Sequence, residues 1–155
     1  MKLDRKLSLT APNTSGKTAQ EAALCFRRKA GKMQVLLITS RDTGRWVLPK
    51  GWLMKDCNPG ETALCEAWEE AGVSGSLAQE DSIGHYTYPK IFQDGAARDC
   101  RVALYAIHVH GLAPKFPEKG QRRRKWMTTS KAAKSVLERD LAKILRLLPK
   151  QLAHL

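Results

Sequence analysis

The chain has 155 residues, of which 43% are hydrophobic and 27% charged. That is enough apolar content for one packed domain and too much for a wholly disordered chain. No run approaches the roughly 18 apolar residues of a membrane-spanning helix, so no membrane partner is expected. Lys and Arg number 27 against 15 Asp and Glu, a net charge of +12, which favours polyanionic partners: nucleic acid, an anionic surface or a small molecule rich in phosphate.

In chain order, Met1 to Lys17 carries charges without a continuous apolar block. It is expected to be a flexible lead-in rather than a secretory signal, which leaves residues 18–155 as a single domain. Ala22 to Phe26 and Met33 to Ile38 are short apolar runs on either side of Lys29-Ala30-Gly31-Lys32. They read as the two strands of a hairpin. Trp46 to Leu48 reads as a third strand, stopped by Pro49, which has no N–H to give a ladder. Trp52 to Cys57 reads as irregular.

Asn58-Pro59-Gly60-Glu61 carries the signals of a helix start: an N-cap, a proline at the first helical position and a capping-box acid. The helix should run to Ala71, with Gly72 as its stop. Ser82 to Tyr88 and Arg101 to His110 are expected strands, joined through a turn at Gln93-Asp94-Gly95. The first should place Ile83, His85 and Thr87 on one face and Tyr86 and Tyr88 on the other. Lys125-Trp126-Met127 reads as a last strand. Ser130 to Leu137 and Arg139 to Leu148 read as helices, with Leu141, Ile144, Leu145 and Leu148 as a core-facing stripe. Interleaved strands and helices predict an α/β layered domain.

Four cysteines, Cys25, Cys57, Cys65 and Cys100, form no CxxC pair and no zinc-finger spacing with histidine. They are expected as reduced thiols in a cytoplasmic protein.

The residues that bear chemistry lie on the helix after Asn58. Glu66, Glu69 and Glu70 stand at i, i+3 and i+4, which puts three carboxylates on one face. So many like charges repel unless a cation sits among them, and hard oxygen ligands suit Mg²⁺ or Mn²⁺. Leu64, Trp68 and Ala71 on the opposite face are expected to pack on a sheet. The plainer alternative is a solvated acidic face.

The stretch Gly51 to Val73 resembles the Nudix box, with Gly51, Glu66, Ala67, Glu69, Glu70, Gly72 and Val73 in register. A match of this length is far more specific than a lone glycine motif. The resemblance implies an α/β/α sandwich, with a mixed sheet between helices, over residues 18–155. It also implies metal-dependent hydrolysis of a diphosphate bond. It assigns Glu66, Glu70 and the backbone carbonyl of Lys50 to Mg²⁺ (or Mn²⁺), and Glu69 to the general base. Glu118, outside the box, is the weaker candidate for the base. Cys57 and Cys65 stand where the family has a Glu and an Arg that pair as a brace between loop and helix. The two partners are lost together, so no lone charge is left behind.

Ser40 to Gly51 is similar to the Nudix branch acting on diadenosine polyphosphates and diphosphoinositol polyphosphates. Arg41, Arg45 and Lys50 are the implied phosphate contacts, with Arg98, Arg101 and Arg122 as further contributors. For Arg123 and Arg124 a solvated face is the more ordinary reading. That branch places several basic residues before its first strand, whereas Lys17-Thr18-Ala19-Gln20 has one. A dinucleoside polyphosphate therefore stays open as the small-molecule partner. Trp46 and Trp52 are readable as base-stacking or as packing. Two alternatives accompany the enzyme: a Nudix-fold binder that does not cleave its ligand, and a basic RNA-binding module built on Arg122 to Lys125. Nucleic acid is the less favoured partner, and the sequence sets no oligomeric state.

Overall fold

A two-residue turn starts the sheet. Strand β1 (Ala19–Lys29) and strand β2 (Lys32–Thr39) pair antiparallel, with Lys29 opposite Lys32. Between them Ala30 and Gly31 have φ of +52° and +77°. Two left-handed residues in succession give the turn whose twist suits a tight hairpin. The computed structural model describes residues 18–155; the expected lead-in, 1–17, lies outside the described residues.

Short strands β3 (Trp46–Val47) and β4 (Lys50–Trp52) flank Pro49 and join opposite neighbours. β3 pairs with β2, and β4 pairs with β1 through Ala22 opposite Lys50. Helix α1 (Pro59–Ala71) follows, then β5 (Val73–Leu77), β6 (Gly84–Ile91), β7 (Ala97–Leu112) and β8 (Arg124–Thr128). Helices α2 (Thr129–Ser135) and α3 (Arg139–Gln151) close the described chain. β1 and β7 run parallel, while the other pairings are antiparallel, so the eight strands form one mixed sheet.

Alternation along β1 sorts the core into two layers. Ala22, Leu24 and Phe26 pack with Val35, Leu37, Val102 and Leu104 against Ala132, Leu141, Leu145 and Leu148 of α2 and α3. Ala23 and Cys25 pack with Leu36, Ile38 and Ile107 against Ala63, Ala67 and Ala71 of α1. The expected α/β/α sandwich is therefore what the chain forms.

Four details differ from the sequence-based expectation. β4 and β5 were not expected: one has three residues around a glycine, and the other is Val-Ser-Gly-Ser-Leu. Their pairing comes from β1 and β7, not from an apolar pattern of their own. Ile83 is buried while His85 and Thr87 are exposed. It lies ahead of the ladder, where its N–H donates to the Leu104 carbonyl at 2.8 Å. α3 continues past Leu148 through Pro149 to Gln151. Trp68 does not pack on the sheet. It is 40% exposed, whereas the other two residues expected there do pack: Ala71 is buried with Ala63 and Ala67, and Leu64 lies half-buried against them.

Candidate active site

Helix α1 is fixed at both ends by its own sequence. Asn58 Oδ1 accepts from the Glu61 N–H at 2.8 Å, and Glu61 Oε1 accepts from the Asn58 N–H at 2.9 Å. This capping box satisfies N–H groups that the first turn cannot pair internally. At the other end Gly72 turns left-handed, at φ +68°. A Cβ there would also lie 2.5 Å from Phe116, so glycine is required twice over. Arg124 then donates to the Ala71 carbonyl at 2.7 Å and the Ala113 carbonyl at 2.9 Å, and so serves the helix C-terminus.

Three alanines let α1 lie close on the sheet, and this carries its acidic flank inward. Glu66 is 0% exposed, Glu69 5% and Glu70 6%. The face is thus not a solvated acidic surface; three carboxylates are held where water is scarce, an arrangement that demands compensation. The Lys50 N–H donates to Glu70 Oε1 at 3.4 Å, which sets the β4 backbone against the carboxylate. Arg122 approaches the same oxygen, with Nη2 3.8 Å away.

Arg122 also binds Glu118. Its Nε donates to Glu118 Oε1 at 3.1 Å, and its Nη1 donates to the Thr39 carbonyl at 3.2 Å. Glu118 is itself tied to α1, because its N–H donates to the Glu69 carbonyl at 3.0 Å. Arg41 lies 4.0 Å from Glu118 and donates to Gln121 Oε1 at 3.0 Å. One guanidinium therefore links the box helix, β2 and the segment before β8.

Beside this cluster opens a cavity of about 610 Å³. Arg41, Arg45, Lys50 and Arg122 line it, together with Glu70, Glu138, Tyr88, Trp52 and Phe92. Lys50 Nζ lies 5.2 Å from the centre of the Tyr88 ring. Burial holds its ammonium below the ordinary lysine range, with Glu70 pulling the other way. The Tyr88 hydroxyl donates to Gln20 Oε1 at 2.7 Å, and burial raises its pKa.

Not every expected residue meets the cavity. Glu66 and Glu69 are buried on the same helix but, unlike Glu70, are not among its lining. Arg98 is paired with Asp94 and covers the Phe92 ring at 4.6 Å, outside the lining. Arg101 is exposed on β7, opposite Thr87. Trp52 is buried against Phe92 at 6.1 Å, and Arg123 covers Trp46 at 5.4 Å, so both tryptophans are engaged in packing. The run Arg122 to Lys125 is not one basic stripe, because Arg122 and Arg124 are bound inward while Arg123 and Lys125 are exposed.

The donor set fits a hard divalent cation. Carboxylates and a backbone oxygen are the ligands Mg²⁺ takes, and it usually needs only one or two carboxylates with substrate phosphates completing its shell. Among the described residues no group of three or more acidic, His or Cys side chains is arranged to hold a metal ion by itself. Glu66 and Glu70, one turn apart, with the Lys50 backbone beside Glu70, are the residues that could hold it.

Residues 18–148 match the NUDIX domain family model. The chain belongs to the Nudix family. Curated relatives of this Nudix domain include Nudix hydrolase 16, mitochondrial, of Arabidopsis thaliana, 38% identical over 69% of this chain. Another is diphosphoinositol polyphosphate phosphohydrolase 3-beta of Homo sapiens, 30% identical over 73% of it. The matches span 61% and 65% of those two proteins. Among solved structures, a C. elegans Ap4A hydrolase superposes with TM-score 0.62 at 20% identity, covering 89% of this chain and 99% of that one. The NUDIX domain of Shewanella oneidensis NrtR, complexed with ADP ribose, gives 0.64 at 16%, covering 96% and 97%. At such identities these two establish the fold.

Within this Nudix box Cys57 and Cys65 are half-buried thiols. The loop ahead of α1 is held by other means: the Met54 N–H donates to Thr62 Oγ1 at 3.1 Å, and the Cys57 N–H to the Met54 carbonyl at 3.2 Å. Sequence reasoning passed over two acids. Glu21 is buried on β1, on the face that alternation with Ala23 and Cys25 turns toward α1. Its signal was a charge inside an apolar strand. Glu138, between α2 and α3, lines the cavity and carried no local signal.

Proposed function

We propose that this Nudix domain is a pyrophosphohydrolase that cleaves a diphosphate bond in a nucleoside- or inositol-linked polyphosphate, with Mg²⁺ or Mn²⁺. The observation that carries the reading is the meeting of five cationic side chains with Glu70, the edge of a buried acidic helix flank, at one cavity. A polyanion is drawn to the first, and a hard cation to the second. Glu66, Glu70 and the Lys50 carbonyl hold the metal. When bound, the cation neutralises diphosphate charge and polarises phosphorus.

The chain's own groups do the rest. Arg41, Arg45, Lys50 and Arg122 position the phosphate chain, with Arg122 best placed to reach a group beside Glu70. Glu69 accepts the proton of the attacking water. Glu118 is the second choice for that role, since its backbone is tied to Glu69. Arg98 is left with a structural role through Asp94. Reduced thiols suit a cytoplasmic setting.

The test is phosphate release from a panel of dinucleoside polyphosphates and diphosphoinositol polyphosphates with Mg²⁺, using native protein and Glu69→Gln. Native turnover is expected, with kcat about 10²–10⁴ lower in the variant. Equal rates would remove Glu69 from its role and pass it to Glu118. Ligand binding with no turnover across the panel would favour a non-catalytic binder. Salt-sensitive RNA binding without turnover would favour the nucleic-acid module.

A further inference from the structure

Glu138 is one of three carboxylates, with Asp42 and Glu70, in a cavity that also gathers Arg41, Arg45, Lys50, Lys90 and Arg122. It occupies the N-cap of α3, where an acidic side chain ordinarily turns to the first N–H groups of the helix. It makes no such bond. It lines the cavity instead, with 12% of its side chain exposed. Oε2 lies 3.6 Å from Nη1 of Arg45, while Oε1 is buried with no hydrogen-bond partner.

A charged oxygen held this way is unfavourable until a donor reaches it. The terminal torsion of a glutamate is broad and two-fold, so rotation exchanges its two oxygens. A donor entering the cavity can therefore find an open lone pair. Arg41, Lys50 and Arg122 line the same cavity, which makes it two-signed.

We propose that Glu138 is a specificity-determining residue: its carboxylate accepts a hydrogen bond from a hydroxyl or amino group beside the polyphosphate, and so selects nucleoside polyphosphates over cyclitols phosphorylated on every side. This rests on the reading that the cavity takes a polyphosphate. A nucleoside offers ribose hydroxyls and a base amine next to its phosphates. A fully phosphorylated ring sets a phosphate against Glu138 in any orientation that fills the cavity, and like charges repel strongly where water is excluded. The pairing with Arg45 also occupies one cation that a denser polyanion would need.

The experiment titrates native protein, Glu138→Gln and Glu138→Ala with a methylene-bridged diadenosine tetraphosphate and with inositol hexakisphosphate, in Mg²⁺. Glu138→Ala is expected to lose about ten-fold in affinity for the nucleotide. Glu138→Gln, which keeps an acceptor oxygen, should lose less. Both variants should bind the inositol phosphate several-fold more tightly, because each removes the charge. Thermal unfolding of the three proteins establishes that they are folded. Unchanged affinities, equal changes for both ligands, or a nucleotide loss without an inositol gain would overturn the proposal. Turnover of unmodified diadenosine tetraphosphate is measured alongside. Selective binding without turnover sinks the hydrolase reading and spares Glu138, whereas failure to bind either ligand sinks both.

Discussion

Arg122 donates through Nε to Oε1 of Glu118 at 3.1 Å, inside the fold, with 11% and 3% of their side chains exposed. The same guanidinium lies 3.8 Å from Glu70. Removing it leaves two carboxylates without that cation, and breaking a buried pair from one side costs about 3–5 kcal/mol. Arg122→Ala should therefore lose about 3 kcal/mol in urea unfolding, besides any effect on substrate. Arg122→Lys should restore only part of it, since an ammonium cannot serve Glu118, Glu70 and the Thr39 carbonyl in one planar fork.

If Glu66 and Glu70 hold the metal as proposed, their substitution should be separable from others on α1 by its effect on the cation requirement. Glu66→Gln and Glu70→Gln should each raise the Mg²⁺ concentration for half-maximal turnover by more than about ten-fold, a change that loss of even an outer-shell partner can produce. Glu61→Gln, exposed on the same helix, should leave that concentration unchanged. A Mg²⁺ titration of initial rates checks this, and an equal shift in all three variants would detach the effect from the buried flank.

The capping box offers a clean stability test. Asn58→Ala removes the acceptor for the Glu61 N–H and should cost about 1 kcal/mol. For a domain of this size that lowers the melting temperature by about 3 °C. Asn58→Asp should retain most of the stability.

Glu21 gives a pH signature. Burial raises its carboxyl above the ordinary range. The folded protein thus holds the proton more tightly than the unfolded chain does. The associated stability is complete below the unfolded pKa and is lost as pH rises through the folded one. Glu21→Gln should therefore melt higher than the native protein at neutral pH, and the gap should close as pH falls to about 4. Melting curves across that range decide it, and a gap that widens toward acid would contradict the assignment.

What could be read in advance was chemistry confined to neighbouring residues. Asn58, Pro59, Glu61 and Gly72 announced α1 because each acts on backbone within a turn of itself. The Ala30-Gly31 turn was visible for the same reason. β5 escaped because Ser74, Gly75 and Ser76 have no strand character apart from β7. The packing face of α1 was right at Ala71 and Leu64 and wrong at Trp68, because hydrophobic periodicity favours burying a large ring, whereas the small alanines allow close approach and the carboxylates turn inward. The box acids were found by their spacing. Glu118 and Glu138 reach the site only through tertiary packing, so Glu118 was a weak expectation and Glu138 none.

The parallel pairing of β1 with β7 has a consequence for biosynthesis. Ala19 aligns with Arg101 and Phe26 with His108, so the strand that supports α1 lacks its central neighbour until the ribosome has released most of the domain. A nascent chain ending before Ala97 carries the whole Nudix box and six of the eight strands, yet lacks β7, the neighbour of β1, β5 and β6. Local helix signals can act early, but the acidic flank acquires its dry setting late, and contacts this distant in sequence form slowly. The cavity beside the acidic flank should form abruptly once β7 and β8 have emerged, instead of accumulating with length.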